Sequence, residues 1–231
     1  MNFSFTAFFS IVAIFLLCIG CERKETILVS NKNKKEVLTR YGKENPQKEV
    51  IIETDFGLMK IKLYDETPLH RANFIKLIND GYYGQPEFYR IVEKFVVQGG
   101  VSMKKLDYTI PAEFNSRYFH KKGALAMARL DDNNPEKESS ATEFYIVHGS
   151  KYAGWEYDEE EKTMSLKLSA LQRKIYTTIG GEMSLDGQYT VFGEVVEGLD
   201  IIDQIASTKV YSNEKPYKKI TFKIRVVSNK K

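Results

Sequence analysis

An arginine set inside an apolar run is the first feature of this 231-residue chain that could do chemistry. The segment is FYRIVEKFVVQGG, residues 88–100; Phe95, Val96 and Gln98 follow just after Arg90. Residue types alone suggest a concave apolar pocket with one permanent cation and one amide. Such a pair orients and polarises a bound group through hydrogen bonds and needs no nucleophile, acid, base or metal. Taken in isolation, Arg90 reads first as a structural ion-pair partner and Phe95 as plain core. His70, His120 and His148 are scattered and lack metal-ligand spacing, so they read as core or surface residues and no metal is expected. Glycines 99, 100, 180, 181, 187 and 193 read as turn and bulge positions, because none opens a helix with the spacing of a phosphate cradle. No cofactor is expected.

Three more stretches follow in order: GALAMAR (123–129), TEFYIV (142–147) and LDGQYTVFGEVVEGLD (185–200). Together with 88–100 they resemble the cyclophilin family, more its bacterial branch than its eukaryotic one, over residues 49–228 with an interruption at 151–180. Several ordered motifs at compatible spacings are a far stronger signal than one short motif. The resemblance implies a peptidyl-prolyl cis-trans isomerase and assigns roles by position. The family's catalytic arginine falls on Arg90, and its glutamine before Gly-Gly on Gln98. The groove wall falls on Phe95, Val96, Tyr145 and Leu185. Ala128 falls where the family receives the residue before proline, and Tyr189 where many members have histidine. Three departures stand out: Glu143 where glutamine is usual, Arg129 where eukaryotic members have asparagine, and Ser184 where many have the tryptophan that contacts cyclosporin. The last implies weak cyclosporin binding. The first two suggest an ion pair between Glu143 and Arg129 at the groove.

These residue types suit the reaction the resemblance implies. An X–Pro bond isomerises over a barrier of about 18–20 kcal/mol, which is largely lost amide resonance. In the twisted state the proline nitrogen turns pyramidal and regains its lone pair. A donor aimed at that nitrogen binds the twisted amide better than either planar form, which is the requirement for catalysis. Arg90 would supply the donor, Gln98 would hold the backbone, and dry walls would strengthen the interaction. The chief alternative is a binding module that holds proline-containing segments with little turnover. Arg90 favours the enzyme, since a decayed groove would lose that residue first. A purely structural lipoprotein would need none of these residues.

The elements that must position the groove can be read from periodicity. VIIETDFGLMKIKLY (50–64) reads as a hairpin turning at Asp55-Phe56-Gly57, with Met59, Ile61 and Leu63 on one face and Lys60 and Lys62 on the other. Thr67-Pro68 signals a helix start, an N-cap followed by proline in the first turn, and Gly81 its end. Further strands are expected at 87–91, 95–98, 123–129, 144–147 and 220–226, a second helix at Leu199–Ala206, and a polar loop at 131–140. Residues 151–180 break the rhythm: an acidic loop, then Leu168, Leu171, Ile175 and Ile179 on one helical face, an insertion that would border the groove. The fold class is therefore all-β in the main, a closed antiparallel eight-stranded cyclophilin-like barrel with two capping helices and a helical insertion. The isomerase domain is expected over 49–231.

The two ends of the chain differ in kind. Residues 1–20 carry no charge and read FSFTAFFSIVAIFLLCI from Phe3, ending in Gly20-Cys21. An apolar run closed by a small residue and cysteine resembles a bacterial lipoprotein signal, which implies cleavage before Cys21 and lipidation there. Cys18 and the lack of a basic n-region depart from that pattern, and a retained transmembrane anchor is the competing reading. Cys18 and Cys21 are the only cysteines, so the folded part carries no disulfide. Residues 22–48 hold eight Lys/Arg against four Asp/Glu and read, within 21–48, as a polar basic tether. The net charge of +3 gives no argument for nucleic acid. The expected partners are the membrane, through lipid on Cys21, and proline-containing unfolded or exported polypeptides. The domain would sit as a monomer in the bacterial envelope, outside the cytoplasm.

Overall fold

A computed structural model describes residues 28–84, 86–100, 106–164 and 167–228. In chain order the elements are α1 (Lys34–Glu44), β1 (Glu49–Thr54), β2 (Gly57–Leu63), α2 (Pro68–Asn79), β3 (Glu87–Ile91), β4 (Val96–Gly99), β5 (Thr109–Ile110), β6 (Ala124–Met127), β7 (Ser139–Ser140), β8 (Phe144–Val147), α3 (Gly154–Met164), α4 (Ala170–Thr178), β9 (Val191–Glu197), α5 (Leu199–Ala206) and β10 (Ile220–Val226). Eight strands close an antiparallel barrel in the order β1-β10-β3-β4-β8-β6-β9-β2, while β5 and β7 pair apart from it. The expected barrel is the barrel observed.

Alternation along the strands gives this barrel two apolar faces. Val97, Leu125, Met127, Phe144, Ile146 and Phe192 point inward and join the main core with Phe74 and Ile75 of α2 and Ile201, Ile202 and Ile205 of α5. Their neighbours Val96, Ala124, Ala126, Tyr145, Val147 and Val191 face the other way and form a second cluster on the outside of the same four strands. The β1–β2 hairpin turns as expected: Met59, Ile61 and Leu63 are buried, and Thr54 pairs with Gly57.

The helix α2 begins at Pro68, but Thr67 does not cap it. Its hydroxyl is buried without a partner among the described residues, and the free N–H groups of Leu69 and His70 donate instead to the Glu113 carboxylate, each at 3.0 Å. An acidic side chain from a distant segment does the work of a cap. The other end follows the sequence signal: Gly81 has φ of 67°, with Tyr82 N–H donating to Leu77 O and Gly81 N–H to Ile78 O.

Two expectations are corrected. The polar tether expected at 21–48 is folded in its second half, where α1 docks on α2 through buried Val37 and Leu38, with Gly42 so close that an added Cβ would lie 3.1 Å from Ala72 Cβ. Lys34 is buried as well, with Nζ 2.6 Å from Glu138. Three apolar residues at helical spacing, Val37, Leu38 and Tyr41, suffice to dock a short helix amid the surrounding lysines. Met1–Gly20 and Cys21 lie outside the described residues; within those described, no helix is long and apolar enough to cross a membrane.

The insertion holds two helices, not a loop and one helix, and its apolar face differs from the expected one. Leu171 is 63% exposed and Ile179 44%, whereas Tyr157, Leu168 and Tyr176 are buried with Phe119 and Met183. Ser169 and Gln172 form a capping box that starts α4 at Ala170 and leaves Leu168 ahead of it. Tyr176, packed on Phe119 and Tyr152, then sets which side of α4 turns inward. At the base, Ser150 and Gly181 exchange both backbone hydrogen bonds at 2.9 Å.

Candidate active site

The sequence-predicted groove residues converge on the outer face of the barrel. Arg90 of β3 stands opposite Gln98 of β4, which in turn stands opposite Tyr145 of β8, itself paired with Ala126 of β6. A register shift between Phe88 and Arg90 breaks the alternation of β3. Phe88 and Ile91 enter the core, and the two residues between them, Tyr89 and Arg90, reach the Gln98 side. A bulge that re-aims a side chain is a common device beside functional sites.

Arg90 is fixed on two sides. Its Nε–H donates to Glu214 Oε2 at 2.6 Å, and Nη1 donates to Gln98 Oε1 at 3.3 Å. The guanidinium lies 5.8 Å from the Phe95 ring centre, and Nη2 has no partner among the described residues. Gln98 Nε2 donates to Tyr89 Oη at 2.6 Å, and Tyr89 donates to Glu143 Oε2 at 2.7 Å. Burial, reinforced by the Glu143 carboxylate, pushes the Tyr89 phenol above its ordinary pKa, so it stays a donor.

The apolar wall is one packed cluster. Val96, Ala128, Tyr145 and Leu185 are buried in it, with Phe95 and Tyr189 half-buried against them. Leu185 is delivered by a single 3-10 turn, Met183–Leu185. Ala128 is held by its N–H on Glu143 O and its carbonyl on Ser140 N–H. A cleft of 790 Å³ adjoins the wall, lined by Gln98, Ala128, Arg129 and Glu143 among others.

The expected ion pair between Glu143 and Arg129 is not formed. Arg129 bonds Asp131 at 2.7 Å and lies over Tyr189, 4.2 Å from the ring centre, while Glu143 accepts from Tyr89. Each charge has a nearer partner, so the two unusual residues do not imply one another. Arg129 Nη1 is buried without a partner among the described residues, a donor available to a carbonyl in the cleft.

Sequence reasoning missed four residues that support this wall or the arginine. Tyr145 Oη lies 3.0 Å from His120 Nε2, and His120 Nδ1 lies 2.8 Å from Asp186 Oδ1. Asp186 also accepts the His120 backbone N–H at 2.8 Å and the Tyr176 hydroxyl at 2.6 Å. Since the carboxylate can only accept, His120 carries a proton on Nδ1, with Nε2 at hydrogen-bond distance from the Tyr145 hydroxyl. Burial holds the Tyr145 and Tyr176 phenols well above their ordinary range, which keeps both as donors. Glu214, the fourth, sits in a polar turn with no local pattern around it. Asp186 was visible inside the LDG stretch, but nothing in the sequence joined it to His120, 66 residues away.

Comparison with known proteins bears on this geometry directly. A family model described as cyclophilin type peptidyl-prolyl cis-trans isomerase/CLD matches residues 49–227. A Staphylococcus saprophyticus protein named as a peptidyl-prolyl cis-trans isomerase is 32% identical over 185 residues, covering 74% of this chain and 87% of its own. The crystal structure of a Cryptosporidium parvum cyclophilin type isomerase aligns with TM-score 0.58 at 21% identity, covering 80% of this chain and 99% of its own. The same protein in the presence of the dipeptide Ala-Pro aligns with TM-score 0.56 at 22% identity, covering 78% and 99%. At those identities the structures establish the fold; the family match, spanning barrel, bulge and wall, establishes more. The chain belongs to the cyclophilin-type peptidyl-prolyl cis-trans isomerases.

Proposed function

We propose that this enzyme isomerises X–Pro bonds in exported polypeptides by stabilising the twisted amide through Arg90, from a membrane tether at Cys21. The observation that carries the mechanism is the guanidinium at the edge of a dry wall, braced at Nε and Nη1, with Nη2 unengaged among the described residues. A rigid, permanently charged donor bonds the proline nitrogen only when that nitrogen regains its lone pair. Phe95, Val96, Tyr145 and Leu185 receive the proline ring. Gln98 holds the peptide backbone, and Ala128 with Arg129 and Glu143 receives the residues before it, beside Tyr189. A thousandfold acceleration needs only about 4 kcal/mol of differential binding, within reach of one charged hydrogen bond formed beside a dry wall. Lipidation at Cys21 rests on the apolar run closed by Gly20-Cys21. So anchored, the domain would sit outside the cytoplasm on a bacterial membrane, with unfolded exported chains as substrates and a monomer as its working form.

The test compares wild type with Arg90→Ala in the full-length protein, solubilised in mild detergent, on cis-to-trans isomerisation of an Ala-Xaa-Pro-Phe peptide. The expected result is a fast wild type and a variant slowed at least about tenfold. Wild type that binds the peptide without accelerating isomerisation would instead identify a holding module. Radiolabelled palmitate incorporated by wild type and lost in Cys21→Ser would support the tether; equal labelling would remove it.

A further inference from the structure

We propose that Glu214 is the positioning residue for the Arg90 guanidinium. The proposal rests on the reading of Arg90 given above. Glu214 Oε2 accepts Arg90 Nε–H at 2.6 Å, and the Glu214 backbone carbonyl accepts Ile91 N–H at 2.9 Å. One residue thus grips β3 twice, at the arginine side chain and at the next backbone amide. The bond at Nε lies on the edge of the guanidinium that Nε shares with Nη2, but Nη2 itself has no partner among the described residues. Together with Gln98 on Nη1 it fixes the plane of the group, so the direction in which Nη2 points is set as well. Both partners of the ion pair are partly solvated, with side chains 33% and 42% exposed, so its value lies in orientation more than in stability.

The backbone gives the second, independent observation. Glu214 has φ of 66°, in the left-handed region that favours glycine. It closes a tight turn in which its N–H donates to Tyr211 O at 2.9 Å and Tyr211 N–H donates to Lys215 O at 2.8 Å. Glycine or asparagine would make that turn with less strain. Three other described non-glycine residues have positive φ, namely Lys94, Asn133 and Lys137. Glu214 alone among the four has a side chain bonded to a candidate site residue. A strained conformation held beside a site signals a functional requirement, and the Arg90 contact supplies one.

The experiment measures kcat/KM for peptide isomerisation and the melting temperature of the full-length protein in detergent. It compares wild type, Arg90→Ala, Glu214→Gln, Glu214→Asn and Glu214→Gly. Asparagine and glycine relieve the turn and are expected to hold the melting temperature or raise it by up to about 4 °C. The same two variants are expected to lower kcat/KM about threefold to tenfold, through kcat more than KM, as an oriented hydrogen bond is lost. Glu214→Gln keeps an acceptor at the same reach and retains most of the activity. Wild-type kcat/KM in the asparagine and glycine variants would overturn the proposal, and so would a rise, which would make Glu214 a restraint. If Arg90→Ala itself stays fully active, the failure belongs to the arginine mechanism; if Arg90→Ala is slow and the Glu214 variants are fast, only the positioning role falls.

Discussion

The groove is held from two sides by polar groups of opposite character. On the arginine side, Arg90, Gln98, Tyr89, Glu143 and Glu214 form a chain of half-buried contacts that water reaches at its edge. On the wall side, Tyr145, His120, Asp186 and Tyr176 form a chain that is buried throughout. Solvent reaches part of the first and can stand in for a member removed from it. Nothing replaces a member of the second, where each lost partner leaves a donor or acceptor stranded. The arginine side can therefore be tuned in activity at little cost in stability, and the wall side cannot.

The largest effect is expected where this contrast is sharpest. Asp186→Ala strands the His120 ring, its backbone N–H and the Tyr176 hydroxyl, and should lower unfolding free energy by about 3–5 kcal/mol in urea titration. A loss no larger than that of any arginine-side variant would erase the distinction. Tyr145→Phe removes only the last link and should cost about 1–3 kcal/mol, with isomerisation kept within about threefold because the ring that lines the wall remains. Glu143→Gln, on the open side, keeps an acceptor for Tyr89 and should change stability by under about 1 kcal/mol. A pH profile for that variant shifted from wild type would give Glu143 a role in turnover that its contacts do not suggest.

The smallest effect is one of pH. His148 Nδ1 accepts Lys94 N–H at 2.8 Å in the turn before Phe95, and Nε2 lies 3.0 Å from Asp203. Burial, then the charge of Lys122, lowers the His148 pKa below its ordinary value of 6.5. The unfolded chain therefore binds the proton first, and the stability supplied by neutral His148 is complete above pH 6.5 and lost as pH falls toward the lowered value. Urea midpoints measured across that window should decline for wild type and stay flatter for His148→Gln.

How much of this was legible in the sequence depends on whether the signal was local. The alternation of Met59, Ile61 and Leu63 with two lysines marks a strand wherever it occurs, and Gly81 ends a helix by its own backbone freedom. The motifs around Arg90 and Tyr145 carried the groove because they are contiguous. The cap on α2 was misassigned because Glu113 acts across 43 residues or more of chain. The face of α4 was misassigned because helical periodicity counts leucines and isoleucines equally, while the packing was decided by one tyrosine reaching Asp186. Even the bulge at Tyr89 leaves no mark in the sequence, since alternation predicts that only one of two neighbours faces the groove.

The docking of α1 bears on how far the groove can travel. Contacts to the domain begin by Asn31, which bonds Asp107 and Thr109. If Cys21 carries lipid as proposed, about ten residues separate it from Asn31, a span of at most roughly 35 Å. The 28 residues of the expected tether would have allowed close to three times that. An enzyme moored in the proposed way would be confined to chains passing near the membrane, soon after they emerge.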